Sequence, residues 1–152
     1  MERFSRCLPV RWRHTSHGLS TLRVVAFVPE GYSRSIIQAL SADSGWALTI
    51  SDTPAGIAQA RSESAPVILF DRDLWPGTWR EAVGLLTRRS PRPYVILLSP
   101  NSDGNLWDEL QRFGGSDILR TPIDRETTSR AIERAWLLWR NEQHLRLSKV
   151  SR

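Results

Sequence analysis

The sequence predicts a three-layer α/β fold: a five-stranded parallel sheet of order 2-1-3-4-5 with helices on both faces. Three observations lead there. Strand-like runs alternate five times with segments whose apolar residues recur at helical spacing. The main runs are apolar throughout, without the in-out alternation of a one-sided sheet, so both faces have to be covered. The connections are short, and right-handed crossovers between parallel strands leave few strand orders, of which 2-1-3-4-5 is the natural one.

Residues 22–28 form the first buried strand, closed by Pro29 and Gly31. A helix follows over 33–42, with Ile36, Ile37 and Leu40 on one face. Residues 46–50 are a short second strand. Thr53-Pro54 reads as a helix start, a capping hydroxyl followed by proline in the first turn, and that helix runs to about Ser62. Residues 67–71 are the third strand. After the Pro76-Gly77 loop, Ala82, Val83, Leu85 and Leu86 mark a third helix, stopped by proline at 91 and 93. Residues 94–99 are the fourth strand. Leu106, Leu110 and Phe113 mark a fourth helix ending at Gly114-Gly115. Residues 117–120 are a short fifth strand, and Asp124 caps a last helix with Ala131, Ile132, Ala135, Leu138 and Trp139 facing inward. Residues 1–20 read as a basic, loosely ordered extension, 21–140 as the domain, and 141–152 as a basic tail continuing the last helix.

A length of 152 residues suits one domain with its own core. No apolar run approaches the ~20 residues of a membrane span, and the first twenty residues lack the apolar stretch of a secretory signal. Cys7 is the only cysteine, which excludes an internal disulfide and a multi-cysteine metal site. A cytoplasmic location is the expectation. The formal charge of +5 gathers at the ends, with Arg3, Arg6, Arg11 and Arg13 early and Arg140, Arg146, Lys149 and Arg152 late. Such ends can attract nucleic acid, but charge alone specifies no binding fold, and solvated tails are the favoured reading. Neither nucleic acid nor membrane is an expected partner.

No enzyme is expected either. The chain has no phosphate-cradling glycine loop with lysine and no dinucleotide fingerprint after the first strand. His14, His17 and His144 lie in the terminal segments, away from any nucleophile of the domain.

Four landmarks in order resemble the response-regulator receiver domains. Residues 22–36 look like the opening strand and helix. Val67-Ile68-Leu69-Phe70-Asp71, followed by a Pro-Gly loop, looks like the strand that carries the phosphoacceptor aspartate. Ile96-Leu97-Leu98-Ser99 looks like the strand ending in the switch hydroxyl. Residues 114–123, running Gly-Gly-Ser-Asp-Ile-Leu-Arg-Thr-Pro-Ile, look like the family's Gly-Ala-x-Asp-Tyr-Leu-x-Lys-Pro-Phe stretch. The resemblance implies a flavodoxin-like (CheY-like) fold with Asp71 as phosphoacceptor equivalent and Ser99 as switch equivalent.

The departures bear on function. Val28 and Pro29 stand where the family has paired acids, leaving Glu30 as the next carboxylate. Mg²⁺ requires oxygen ligands, so no metal or other cofactor is expected unless Asp71, Glu30 and Asp73 compensate. Thr121 stands in place of the lysine that would meet a phosphoryl group, and Ile118 in place of the switch aromatic. Arg120 adjoins Thr121, but strand neighbours point to opposite faces. Four residues separate Asp71 from Pro76, where the family usually has three. Two structural alternatives stay open: Asp71 ending its strand by accepting loop hydrogen bonds, and Ser99 serving the loop that caps the fourth helix. The seven tryptophans are either interface anchors or core, Trp107, Trp136 and Trp139 falling on the last two helices.

The expected function is a stand-alone receiver-like signalling module of two-component type with a degenerate acid pocket. It would dock a protein partner (a histidine kinase or an output protein) or a second copy through the face of the fourth and fifth helices. The alternative is a working phosphoacceptor, phosphorylated on Asp71 by a histidine kinase with Mg²⁺.

Overall fold

Five runs of apolar residues become strands because their side chains are wanted on both faces at once. The computed structural model describes residues 21–150. The order is β1 (Arg23–Phe27), α1 (Tyr32–Ser44), β2 (Ala47–Ser51), α2 (Ala55–Glu63), β3 (Val67–Asp71), α3 (Trp79–Leu86), β4 (Tyr94–Ser99), α4 (Gly104–Arg112), β5 (Asp117–Arg120) and α5 (Arg125–Val150). The strands are all parallel in the order β2-β1-β3-β4-β5, as expected from the sequence.

Alternation along the central strands fills two cores. Val24, Ala26, Val28, Leu69, Ile96 and Leu98 point to the face covered by α1 and α5. Val25, Phe27, Ile68, Phe70, Val95 and Leu97 point to the face covered by α2, α3 and α4. Each fully buried side chain of this size contributes ~1.5–3 kcal/mol, so β1, β3 and β4 hold the molecule together. The edge strands β2 and β5 are only partly buried.

The helix faces depart from expectation in three places. On α3 the buried stripe is Trp79, Ala82, Val83 and Leu86, spaced i, i+3, i+4, i+7; Leu85 lies off it and is exposed. On α5 Ala131, Ile132 and Ala135 are buried and Trp136 packs against the same core, while further along the exposed Arg146 donates to Ser90 Oγ at 3.0 Å. Leu138 therefore turns to the flank, 46% exposed. Before α2, Thr53 does not cap with its hydroxyl. Its carbonyl accepts from Gly56 N–H at 3.0 Å, and Pro54 holds the cap position without a side-chain bond.

The Asp124 cap acts as read, and two further helix ends are capped. Asp124 Oδ2 accepts from Thr127 N–H at 3.0 Å at the start of α5, and Asp103 Oδ1 accepts from Leu106 N–H at 2.8 Å at the start of α4. Gly45 ends α1 in the left-handed region, φ 82°, which glycine adopts without strain. At 26 residues α5 is ~39 Å long, about twice the length of the strands it covers, so its last turns extend beyond the sheet. Among the described residues no helix is long and apolar enough to cross a membrane. The expectations for residues 1–20, with Cys7, His14, His17 and four of the arginines, lie outside the described residues.

Candidate functional site

The carboxyl ends of β1, β3, β4 and β5 meet at one edge of the sheet, where open α/β folds bind ligands. Asp71 pairs in register with Leu98, Ser99 with Arg120, and Thr121 N–H donates to Ser99 O at 2.9 Å, so the three strand ends lie side by side. Between them and the β1–α1 loop opens a cleft of ≈ 340 Å³. Its walls are Pro29, Glu30, Gly31, Tyr32, Ser33, Asp71, Thr121 and Pro122. A second cleft, ≈ 350 Å³, adjoins it across Thr121 and Pro122 and is floored by the start of α5.

The first cleft therefore brings together four residues singled out in the sequence: Pro29, Glu30, Asp71 and Thr121. Val28 is not among them. It is fully buried, its side chain in the core beneath α1 and α5, while its carbonyl accepts from Arg34 Nη2 at 2.8 Å. Valine at this register is a core residue. Asp73 does not line the cleft either. Its N–H donates to Asp71 Oδ1 at 2.9 Å, and Leu74 N–H donates to Asp71 O at 3.1 Å, the strand-end turn that the structural alternative for Asp71 foresees.

Asp71 is half-buried at the strand end, and its carboxyl holds its proton more tightly than an ordinary aspartate does. Burial, the largest effect, pushes its carboxyl above the ordinary range; the hydrogen bond from Asp73 N–H opposes this, and the Asp73 charge adds to it. The native state thus binds this proton more tightly than the unfolded chain does. Its contribution to stability is full at low pH and declines as pH rises from the ordinary value of 3.8 through the raised native one. Asp71→Asn is expected to be more stable than the parent at pH 7, by less than about 1 kcal/mol because water screens a half-exposed carboxylate. The gap should close as pH falls through that window. Urea midpoints for both proteins across pH 3.5–7 test this, and a less stable variant at pH 7 would contradict it.

The hydroxyl of Ser99 is fully buried and already engaged. Arg72 Nη1 donates to Ser99 Oγ at 3.2 Å and Asn101 N–H donates to the same oxygen at 3.1 Å, which fills both acceptor positions. Arg72 was missed from the sequence, where Arg120 was weighed as the stand-in cation. Arg120 is exposed on the edge strand, whereas Arg72 follows Asp71 directly and swings to the opposite side, towards α4. There Glu109 is held below the ordinary range by the Arg80 fork, at 3.0 and 2.9 Å, with smaller contributions from Arg112 and Arg72. The alternation rule used against Arg120 could have pointed to Arg72.

Ile118 packs partly buried against the core under α3 and α4. Trp75 bridges the other side of the site. Its ring stands edge-on to Phe70 at 5.5 Å and to Phe27 at 6.1 Å, and its indole N–H donates to Asp52 O at 3.1 Å. Of the described tryptophans none is exposed: Trp46 and Trp79 are buried, and Trp75, Trp107, Trp136 and Trp139 are partly so. Of the two readings left open for the tryptophans, core packing holds for Trp46 and Trp79, and the others are shared between packing and surface.

The donor set does not fit the Mg²⁺ that receiver domains imply. The metal takes six oxygens in near-octahedral array, commonly one or two carboxylates with waters and phosphate oxygens. This cleft offers Glu30, exposed on its loop, and Asp71, one oxygen of which already accepts from Asp73 N–H. Among the described residues no three His, Cys, Asp or Glu side chains gather as a metal-ligand group.

No protein-family model matches the chain, and no curated protein matches it. Solved structures do. The chemotaxis protein CheY4 of Vibrio cholerae superposes with a TM-score of 0.68 at 20% identity, over 76% of this chain and 99% of that one. A CheY-like receiver domain protein of Methanospirillum hungatei gives 0.72 at 15% identity, over 81% and 99%. The receiver domain of a sensor histidine kinase of Pseudomonas aeruginosa, with a magnesium ion coordinated in its active site cleft, gives 0.65 at 18%, over 76% and 97%. The strand order, the helix layers and the place of Asp71 at the carboxyl end of β3 agree with these likenesses: the chain has the fold of the CheY-like response-regulator receiver domains.

Proposed function

We propose that the chain is a receiver-like signalling module of two-component type whose acid pocket is degenerate, and that it works by docking to a protein partner. The observation that carries this reading is the composition of the cleft. Two carboxylates, Glu30 and Asp71, face it with no lysine and no third acid, so a phosphoryl group entering would meet uncompensated negative charge. A docking surface is available on the α4–β5–α5 side. Arg134, bonded to Asp117 at the start of β5, marks the flank of α5 that faces this way. Leu138, four residues on, and Leu145, a further seven, stand exposed on it at 46% and 52%.

A phosphoacceptor at Asp71 served by a histidine kinase is the second reading, favoured by one observation: Asp71 lines an open cleft, with the Arg72 guanidinium on the neighbouring Ser99. Tryptophan fluorescence separates the two. Trp75 stands on Phe70, the residue before Asp71, and so reports on the site. Titration with Mg²⁺ and then beryllofluoride, a mimic of the aspartyl phosphate, is expected to give no saturable change, and Asp71→Asn is expected to behave like the parent. A saturable, Mg²⁺-dependent change absent from Asp71→Asn would replace the docking reading with phosphotransfer.

A further inference from the structure

The loops at the two edges of the sheet differ in charge, although Arg72 and Arg120 also stand at the carboxyl edge and Asp117 at the amino one. All five loops at the carboxyl ends of the strands carry a carboxylate: Glu30, Asp52, Asp73, Asp103 and Asp124. None of the four loops at the amino ends does, and the one between α3 and β4 carries Arg88, Arg89 and Arg92 instead. Arg23 at the start of β1, Arg61 in the last turn of α2 and Arg146 of α5, bonded to Ser90 Oγ, join them at that edge. Arg89 is fixed there by Ala65 O and Pro91 O. Burial, and then the charges of Arg23 and Arg61, lower its pKa, as expected of cations crowded together. Two carboxylates lie close by, Glu63 accepting from Gln59 and Glu142 from Tyr94; both donors are neutral, so these acids offset part of the positive charge and leave the arginines in excess. The sequence suggested that basic charge sits in solvated tails, but these arginines belong to the folded domain.

We propose that this amino-terminal edge binds the phosphate backbone of a nucleic acid, without reading base sequence. The cations are almost all arginine, Lys149 being the only lysine among 21 basic residues, and the arginine fork matches phosphate oxygens two at a time. They are spread across three layers, roughly 20 Å, rather than ringed around a pocket. A regular array of phosphates suits such a surface. An acidic peptide would want pockets for its side chains, and the two clefts described above lie at the opposite, carboxylate-bearing edge. A bilayer would want an apolar anchor; the arginine-bearing loop offers none, while Leu145 and Leu147 stand exposed beside Arg146, so vesicles are the competing arm of the test. The excess of arginine at this edge would orient the molecule as it approaches a polyanion.

The test is fluorescence anisotropy of a labelled 20-base-pair DNA duplex titrated with the full chain from 50 to 200 mM NaCl. The comparison is the triple variant Arg61→Gln, Arg88→Gln, Arg92→Gln, which spares Arg89 and its backbone bonds, with circular dichroism to show it is folded. The parent is expected to bind at 50 mM salt, with log K falling linearly with log salt at about −0.9 per phosphate contact. The variant should bind at least about tenfold more weakly, with a slope shallower by about 2–3. The proposal is overturned by no binding at 50 mM, by equal binding of the triple variant, which would place the contact elsewhere, or by a clear preference for phosphatidylserine vesicles over the duplex.

Discussion

Phe70→Ala is expected to lower the stability of the domain by about 3–5 kcal/mol, read as a shift of the urea midpoint with little change in slope. Phe70 is fully buried in β3, the middle strand of the sheet, with the Phe27 ring 5.5 Å away and the Trp75 ring at the same distance on another side. Truncation removes the transfer energy of the ring and leaves a cavity that flanking strands, paired on both sides, cannot close. The effect reaches the site, because Phe70 precedes Asp71 and seats the indole that ties the β3–α3 loop to Asp52 O. Trp75 emission should therefore move to the red in the folded variant. Phe70→Leu keeps most of the volume and should recover more than half of the loss. A Phe70→Ala protein within about 1 kcal/mol of the parent would mean that the centre of the sheet is not where its stability lies.

That much of the fold was legible follows from the same central strands. A run such as Val67 to Phe70 admits one environment, covered on both faces, and punctuation by proline and glycine separates it from its helices. Helix faces were less legible where two apolar residues competed for one stripe. Leu85 and Trp79 are both apolar, and only the packing of α3 on β3 and β4 shows which spacing is used. The candidate site was legible as a list of positions, because Asp71, Pro29, Glu30 and Thr121 are tied to the ends of strands. Which side chains face the cleft was not. That depends on the last residue of each strand, where one step sends a side chain to the other face: Val28 inward and Pro29 to the cleft, Asp71 to the cleft and Arg72 towards α4. Long-range partners such as Arg72 with Ser99, 27 residues apart, leave no local pattern to read.

The contrast between Val28 and Pro29 leads to the other large effect. Val28→Asp, the substitution that restores an acid where receiver domains carry one, is expected to cost on the order of 4 kcal/mol. The side chain at 28 is fully buried in the core beneath α1 and α5, where a carboxylate finds no water, and the nearest cation, Arg34, is held on the Val28 carbonyl. The introduced acid should be forced to stay protonated. Its native pKa would then lie above the unfolded one, so the variant should lose stability as pH rises from about 3.9 and be least impaired in acid. Pro29→Asp is expected to behave oppositely. Residue 29 is exposed and lines the cleft beside Glu30 and Asp71, so a carboxylate there is solvated and costs less than about 1 kcal/mol. It would also give the cleft a third oxygen donor, and Mg²⁺ should then quench or enhance Trp75 emission saturably in Pro29→Asp where it does nothing in the parent. Urea titrations at pH 4.5 and 7 and one Mg²⁺ titration decide the matter. Equal tolerance of aspartate at 28 and 29 would show that β1 ends in a different register. A stable Pro29→Asp that ignores Mg²⁺ would show that the cleft lacks more than a single carboxylate. In the expected case residue 29 decides whether the cleft can take the metal, while residue 28 serves the core.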